Sequence, residues 1–257
     1  MAYPQYWREL IGARMGQTTA GLMDCYRGLV ARVPTHCPLC SGVAHGGDLC
    51  PPCRVDVLAS MADGRRRCGV CMLALAGNGP CPDCLLLAPA YDRVIAAFDY
   101  AEPGDVLIQQ FKTMNRFQHA RFLASLLAEA VLAATPSLPG NTMIVCVPSS
   151  RAAVRQRGFN PAAEVARQVA GRLRLRWRPR LLVRRDEDRV QKYLSRRQRI
   201  QDAQHQYACT TRVDGAHIAV VDDVLTTGST LHGIALQLRQ AGAVSVCGLV
   251  LARAPYR

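Results

Sequence analysis

HIAVVDDVLTTGSTL, residues 217–231, is the stretch of sequence that best predicts the fold. Ile218 to Val221 is a β-branched apolar run, which is typical of a buried parallel strand. Apolar residues then recur at helical spacing at Leu231, Ile234, Ala235 and Leu238, and Gly242 can cap the end of that helix. A strand, a short polar loop and a helix in this order predict an α/β fold built on a parallel sheet.

The loop between this strand and this helix has the composition of an anion site. Asp222 and Asp223 stand at the carboxyl end of the strand, where open α/β sheets bind ligands. Backbone N–H groups at a helix N-terminus attract anions, and four hydroxylated residues add donors: Thr226, Thr227, Ser229 and Thr230. The loop lacks the Gly-Lys-Ser/Thr ending of a triphosphate P-loop. A ribose 5-phosphate, with a phosphate and a vicinal diol, suits this pattern; the alternative is an ordinary polar turn.

The segment Val220 to Thr230 resembles the phosphoribosyl pyrophosphate (PRPP) motif of type I phosphoribosyltransferases. The resemblance implies that Asp222 and Asp223 hold the ribose hydroxyls, while Thr226 to Thr230 wrap the 5-phosphate. The PRPP-binding residues expected here are Asp222, Asp223, Val224, Leu225, Thr226, Thr227, Gly228, Ser229 and Thr230. PRPP is expected to bind together with Mg²⁺.

Eight of the 12 cysteines form four Cys-x-x-Cys pairs near the N-terminus. Intervals of 9, 14 and 9 residues separate successive pairs, which favours two Cys₄ sites, each built from two neighbouring pairs. The first site comprises Cys37, Cys40, Cys50 and Cys53; the second comprises Cys68, Cys71, Cys81 and Cys84. Four thiolates complete the coordination of Zn²⁺, so two structural zinc ions are expected. Iron–sulfur ligation is the alternative.

The 257-residue chain carries a formal net charge of +13, and most of this charge lies in one segment. Residues 151–200 contain 16 Lys and Arg against four Asp and Glu, which predicts a polyanionic partner, either a pyrophosphate-bearing substrate or nucleic acid. The chain has no run of 18 apolar residues, and its first 32 residues lack an apolar signal core, so we expect no membrane span and a cytoplasmic location. The oligomeric state is not predicted.

Other segments supply further candidate residues for the site. Lys112 is one of only two lysines and is predicted to lie in a loop, either facing the ligand or simply on the surface. Pro148, Ser149, Ser150 and Arg151 follow a predicted strand at 143–147, so they could also face the ligand. Asn160 suits a helix N-cap and Pro161 the first helical position. Residues 184–206 are dense in arginine and indicate either a loop that closes over an anion or a solvated surface.

Taken together, these features resemble the ComF family of predicted phosphoribosyltransferases. The resemblance rests on the four cysteine pairs, Phe111-Lys112, Val147-Pro148, Arg157-Gly158-Phe159-Asn160, Gln191-x-x-Leu194-Ser195-Arg196 and the phosphate loop. Apolar residues at helical spacing predict a helical lead-in over 1–34. The resemblance implies a double zinc ribbon over 35–88 and a type I phosphoribosyltransferase domain over 89–257. It also implies that Pro148 to Arg151 meets the pyrophosphate beside Arg155, Arg157 and Asn160, and that 189–199, including Arg196, closes over the substrate. Pro161 and Asp202 depart from the family pattern.

Two kinds of function are compatible with this sequence. The first is transfer of a phosphoribosyl group from PRPP to an unidentified base or amine, with Asp222, Asp223, Arg151 and Lys112 as the catalytic residues. The second is a non-catalytic role linked to competence, in which the protein binds PRPP or single-stranded DNA, or in which the zinc ribbons dock a DNA-processing partner. Only three aromatic residues, Phe159, Trp177 and Tyr193, lie in the basic segment, which leaves little surface for base stacking.

Overall fold

The computed structural model describes residues 32–113, 119–185 and 206–256. Its chain divides into two compact units, residues 1–51 and 52–257. In the described part of the first unit, strands β1 (Pro34–His36) and β2 (Val43–His45) form an antiparallel hairpin. This hairpin carries the first Cys-x-x-Cys pair in its connection, so the pair lies on a tight turn, as a metal-binding knuckle requires.

The second unit contains all seven described helices and seven strands. The helices are α1 (Pro51–Ala59, which begins at the unit boundary), α2 (Pro82–Leu87), α3 (Gly104–Thr113), α4 (Ala120–Ala133), α5 (Arg151–Arg157), α6 (Pro161–Leu173) and α7 (Ser229–Gln240). The strands are β3 (Arg93–Asp99), β4 (Met143–Cys146), β5 (Arg176–Trp177), β6 (Leu182–Arg184), β7 (Tyr207–Cys209), β8 (His217–Leu225) and β9 (Ser245–Arg253). Among the described residues, no helix is long and apolar enough to cross a membrane.

Five of these strands form one parallel sheet in the order β3-β9-β8-β4-β5. The two central strands β8 and β9 are buried along most of their length, as expected for strands covered on both faces. Helix α7 packs on the sheet through Leu231, Ile234 and Leu238, the residues whose spacing predicted it. The predicted α/β fold with a parallel sheet is therefore confirmed.

Strand β8 is longer than the sequence predicts. We expected it to end at Val221, but it continues through both aspartates to Leu225, because β9 pairs with it as far as Arg253. Strand β4, in contrast, pairs with β8 only as far as Val221. Asp222 and Asp223 thus lie in the part of β8 that pairs with β9 but not with β4.

Other elements were not predicted, among them α5, β5, β6 and β7. Helix α5 begins at Arg151, in a segment that we interpreted as a loop. It could not be predicted because its Ala- and Arg-rich sequence has no apolar face, and none of its residues is buried. Strands β6 and β7 pair into a short antiparallel hairpin, and β5 is only two residues long; strands of this length are too short to show a periodicity.

The second cysteine segment shares a hydrophobic core with the sheet. Cys71, Leu87 and Tyr91 belong to the same buried cluster as Val220 and Leu231. The segment is therefore packed against the strand and helix that flank the phosphate loop. The boundaries proposed above, 1–34, 35–88 and 89–257, stay a prediction.

Candidate functional site

The sheet has a topological switch point between β4 and β8. The chain leaves β4 through α5 and α6 toward β5 at one edge, whereas it leaves β8 through α7 toward β9 on the other side. In open α/β sheets such a divergence opens a crevice at the carboxyl ends of the two strands, where ligands bind. The carboxyl ends of β4 and β8 bring the segment that starts at Pro148 next to Asp222 and Asp223, and the backbone N–H of Val147 donates to Val221 over 2.9 Å.

The two aspartates occupy different electrostatic environments. Lys112 Nζ lies 3.0 Å from Asp223 Oδ1, and both side chains are partly exposed, by 31% and 17%. Burial of Asp222, followed by the nearby charge of Asp223, raises the pKa of Asp222 to about 8. One carboxyl group of the pair is therefore ion-paired, and the other holds a proton near neutral pH.

Lys112 reaches this pair from a helix and not from the predicted loop. It lies in the last turn of α3, which extends to Thr113. Phe111, the residue before it, is fully buried and contacts the ring of Phe159, with 5.5 Å between the ring centroids. This contact fixes the end of α3 beside the Arg157-Gly158-Phe159-Asn160 motif.

The small-residue loop ends where α7 begins at Ser229. Gly228 occupies the N-cap position with φ of 80°, a left-handed conformation that favours glycine. A Cβ atom on Gly228 would lie 2.7 Å from the Tyr91 hydroxyl, so the position also requires glycine for space. The hydroxyl oxygens of Thr227 and Ser229 are 3.0 Å apart. The structure therefore brings Thr226 to Thr230 to the N-terminus of a 12-residue helix, next to both aspartates.

The segment Pro148 to Arg151, which the sequence predicts as a loop, includes the beginning of a helix. Ser150 is the N-cap of α5, and its hydroxyl accepts from the backbone N–H of Ala153 over 3.2 Å. Arg151 is the first residue of that helix, and Arg157 Nε donates to the carbonyl oxygen of Ala153. The prediction that Pro148 to Arg151 form a loop is therefore correct only as far as Ser150.

Asn160 joins this segment to the helix that follows. Its side-chain oxygen accepts from the backbone N–H of Ala162, as predicted for the N-cap of α6, and lies 3.0 Å from the Ser149 hydroxyl. Its side-chain nitrogen donates to the carbonyl oxygen of Val147 over 3.0 Å. A single side chain thus fixes the strand end, the loop and the next helix.

Two residues that we did not select also border the site. Tyr207 on β7 is buried and hydrogen-bonded to the Thr230 side chain; burial raises the pKa of its hydroxyl, Arg184 lowers it and Asp222 raises it. The Arg184 guanidinium lies 5.9 Å from the centre of the Tyr207 ring. No local pattern marks these residues, because strands β6 and β7 are only three residues long. Arg196, the 189–199 segment and Asp202 lie outside the described residues.

The eight paired cysteines form the two predicted clusters. Cys37, Cys40, Cys50 and Cys53 form one, and Cys68, Cys71, Cys81 and Cys84 form the other, with all sulfur atoms of a cluster within 4.8 Å of one another. Individual Sγ–Sγ distances of 3.5 to 3.6 Å are close to the edge of about 3.8 Å expected for a tetrahedral zinc–thiolate site. The donor set and its spacing therefore fit structural zinc.

Without a cation, two thiols of the second cluster, those of Cys71 and Cys84, resist ionisation. Burial raises the pKa of the Cys71 thiol to about 11, although Leu73 and Arg253 lower it, and burial followed by the charge of Cys71 raises the pKa of the Cys84 thiol. A divalent cation would offset this repulsion, since bound metal favours thiolates. Within the described ranges, no other group of three or more His, Cys, Asp and Glu residues could hold a metal.

The fold and these clusters define a class. The protein is an α/β protein with a type I phosphoribosyltransferase-like parallel sheet and an N-terminal module with the ligands of a double zinc ribbon. No protein-family model matches the chain. The DNA utilization protein YhgH of Salmonella typhi is 33% identical over 223 residues, which cover 83% of this chain and 95% of that protein. The protein of the same name from Escherichia coli strain K12 is 33% identical over 220 residues, with the same coverage.

Another relative carries a different name. Competence protein F of Haemophilus influenzae is 33% identical over 179 residues, which cover 68% of this chain and 78% of that protein. The chain belongs to the ComF family. The resemblance inferred from the cysteine pairs and the phosphate loop is confirmed.

Proposed function

We propose that the protein binds PRPP with Mg²⁺ and transfers its phosphoribosyl group to an unidentified base or amine. One observation carries this proposal: two aspartates stand at the switch point, directly before a small-residue loop that leads into a helix N-terminus. The helix N-terminus favours a phosphate, and adjacent carboxylates favour the hydroxyl groups of a ribose. A ribose 5-phosphate group carries both a phosphate and ribose hydroxyls, so it would contact the helix N-terminus and the two aspartates at the same time.

In this proposal each part of the site has its own role. Backbone N–H groups and hydroxyls of Thr226 to Thr230 bind the 5-phosphate, and Val224 and Leu225 position the loop. Asp222 and Asp223 accept hydrogen bonds from the ribose hydroxyls, and the negative charge of Asp223 favours the positive charge that develops on the ring when pyrophosphate leaves. Lys112 pairs with Asp223 until the ligand arrives.

The leaving pyrophosphate requires positive charge on the other side of the crevice. Pro148, Ser149, Ser150 and Arg151 border that side, with the N-terminus of α5 and the guanidinium of Arg151 as sources of positive charge. Arg157 and Arg196 are further candidates from the basic segment. Bound Mg²⁺ supplies Lewis-acid stabilisation of the pyrophosphate oxygens. No residue is needed as a covalent nucleophile, and the buried Cys146 is not assigned such a role.

Calorimetric titration tests this function directly. PRPP with Mg²⁺ is titrated into the purified protein, with ribose 5-phosphate as comparison and with an Asp222→Asn/Asp223→Asn variant as control. We expect Mg²⁺-dependent binding of PRPP to the wild type and none to the variant, whose fold is checked by circular dichroism. Equal affinities for wild type and variant would refute the assignment of the site. Binding of PRPP would then justify a search for the base or amine acceptor.

The names of the relatives favour a second function, in the use of DNA. Relatives are named for DNA utilization and for competence, and this chain carries 16 basic residues between 151 and 200. A cytoplasmic protein that binds single-stranded DNA, or that docks a DNA-processing partner through its zinc ribbons, would fit both observations. Binding through phosphates should weaken steeply with salt. Titration of a labelled oligonucleotide between about 50 and about 200 mM NaCl tests this, because affinity for DNA phosphates falls strongly over that range. A flat salt response would argue against this surface.

A further inference from the structure

The last residue of β9, Arg253, is among the most deeply buried side chains in the described part of the protein, with 1% of its surface exposed. A buried guanidinium requires partners, because an unpaired charge in the interior is strongly unfavourable. Arg253 finds them on two sides that lie far apart in the sequence. The second cysteine cluster is on one side, and the phosphate loop is on the other.

On the cysteine side, Arg253 contacts the metal-ligand segment itself. Its Nε donates to the carbonyl oxygen of Cys71 over 2.8 Å, and its Nη2 lies 3.7 Å from Cys71 Sγ. The same nitrogen is 2.6 Å from Asp83 Oδ2, a buried carboxylate in α2 between the ligands Cys81 and Cys84. Both knuckles of the cluster are therefore joined to one guanidinium group.

On the other side, Nη1 of Arg253 donates to the carbonyl oxygens of Leu225 and Thr226 over 3.1 and 2.7 Å. In a planar trans peptide the carbonyl and the following N–H point in opposite directions. Arg253 thus holds these two carbonyls on its own side, with the backbone N–H of Ala254 as a second donor to Leu225, and the N–H groups of Thr226 and Thr227 face the opposite way. This orientation suits an anion, which carbonyl oxygens would repel.

A second contact joins the same two regions independently of Arg253. A Cβ atom on Gly228 would lie 2.7 Å from the Tyr91 hydroxyl and 3.2 Å from the side chain of Leu87. Leu87 is the last residue of α2, the helix that carries Cys84 and Asp83. The loop therefore rests on the metal-ligand helix at one point and is hydrogen-bonded to it, through Arg253, at another.

We infer that Arg253 is a positioning residue that couples metal binding by Cys68, Cys71, Cys81 and Cys84 to the anion-binding conformation of the loop 225–228. The coupling rests on the proposed function for its biological meaning, but the conformation of the loop can be measured without any sugar phosphate. Metal holds Cys71 and α2 in place, these hold Arg253, and Arg253 orients the loop carbonyls.

Hydrogen exchange read by mass spectrometry tests the coupling on the full-length, zinc-loaded protein without ligand. Arg253→Lys keeps the charge but loses the planar fork of donors, and Asp83→Asn keeps the volume and one acceptor oxygen. We expect both to raise exchange of the amides of Thr226 to Ser229 by about tenfold or more, as loss of a charged hydrogen bond predicts. Exchange in β4 should stay unchanged, and zinc content should equal that of the wild type.

Arg67→Lys is the matched control. Arg67 is also a largely buried arginine near the second cluster; it pairs with Asp99 and donates to the carbonyl oxygen of Met72, but none of its described contacts reaches the loop. Wild-type exchange at 226–229 in Asp83→Asn, with zinc retained, would overturn the inference. Asp83→Asn decides the question if Arg253→Lys does not fold. A loop that loosens equally in Arg67→Lys would overturn it too.

A ligand experiment separates this inference from the proposed function. Ribose 5-phosphate is titrated into wild type, Asp83→Asn and Arg67→Lys, all with measured zinc content. We expect weaker binding only in Asp83→Asn. If ribose 5-phosphate and PRPP both fail to bind the wild type, the proposed function fails, while the exchange data still decide whether Arg253 couples the cluster to the loop.

Discussion

Lys112 Nζ and Asp223 Oδ1 lie 3.0 Å apart, although the two residues are 111 positions apart in the sequence, one in helix α3 and the other in strand β8. The pair is partly exposed, so its contribution to stability should be below about 1 kcal/mol. In the proposed function, the pair matters for the site, because it provides a cation beside the position of an anionic ligand.

Lys112→Gln should therefore affect binding more than stability. We expect the melting temperature to change little, and the affinity for PRPP to fall by about tenfold or more, since the unpaired Asp223 would repel the ligand. Calorimetry and thermal melts measure the two effects, and Lys112→Arg, which keeps the charge, is the control. A large loss of stability with unchanged affinity would show that the pair is only structural.

Gly228→Ala should destabilise the loop for two separable reasons. The left-handed backbone is strained with any side chain, and the new Cβ atom would clash with the Tyr91 hydroxyl. Gly215→Ala is the matched control, because Gly215 also has a positive φ, of 71°, but nothing lies within 4 Å of its Cβ position. We expect Gly228→Ala to lower the melting temperature more than Gly215→Ala does, and Tyr91→Phe to restore part of the difference. Equal losses would contradict the close approach of Tyr91.

The raised pKa of Asp222 predicts a dependence of stability on pH. Between the ordinary value of 3.8 and the folded value of about 8, the folded protein keeps a proton that the unfolded chain has released. The free energy of unfolding should therefore fall as the pH rises through this window. Asp222→Asn removes the effect, so the melting temperature of the variant should exceed that of the wild type at pH 8 by several °C. About 1 kcal/mol of stability corresponds to about 2–4 °C in a protein of this size. Parallel melting curves at pH 5 and pH 8 would contradict the assigned pKa.

The two cysteine clusters predict the metal content. The purified protein should contain about two zinc ions per chain, by the four-thiolate rule for structural sites. Elemental analysis measures this number, and Cys84→Ser should lower it by about one. An absorbing, coloured protein that contains iron would support the iron–sulfur alternative instead. Chelation should lower the melting temperature, because metal binding and folding are coupled in such modules.

The features predicted correctly from the sequence are those with a local signature. The strand and helix around Asp222 and the four cysteine pairs each occupy a short stretch in which residue spacing reflects geometry directly. The extension of β8 to Leu225 could not be predicted, because it depends on pairing with β9. The contacts of Arg253 could not be predicted for a related reason. Its partner Asp83 lies 170 positions away, and no periodicity marks a contact between residues so distant in the sequence.

The hairpin of β6 and β7 has one more consequence. The backbone N–H of Arg185 donates to the carbonyl oxygen of Gln206 over 2.7 Å, so a backbone hydrogen bond joins the two residues that flank positions 186–205. The described residues on both sides of 186–205 therefore belong to one hairpin, and every described strand of the sheet pairs without the intervening positions. For protein engineering, this hairpin is a fixed attachment point at which those positions could be exchanged between relatives while the sheet keeps its register.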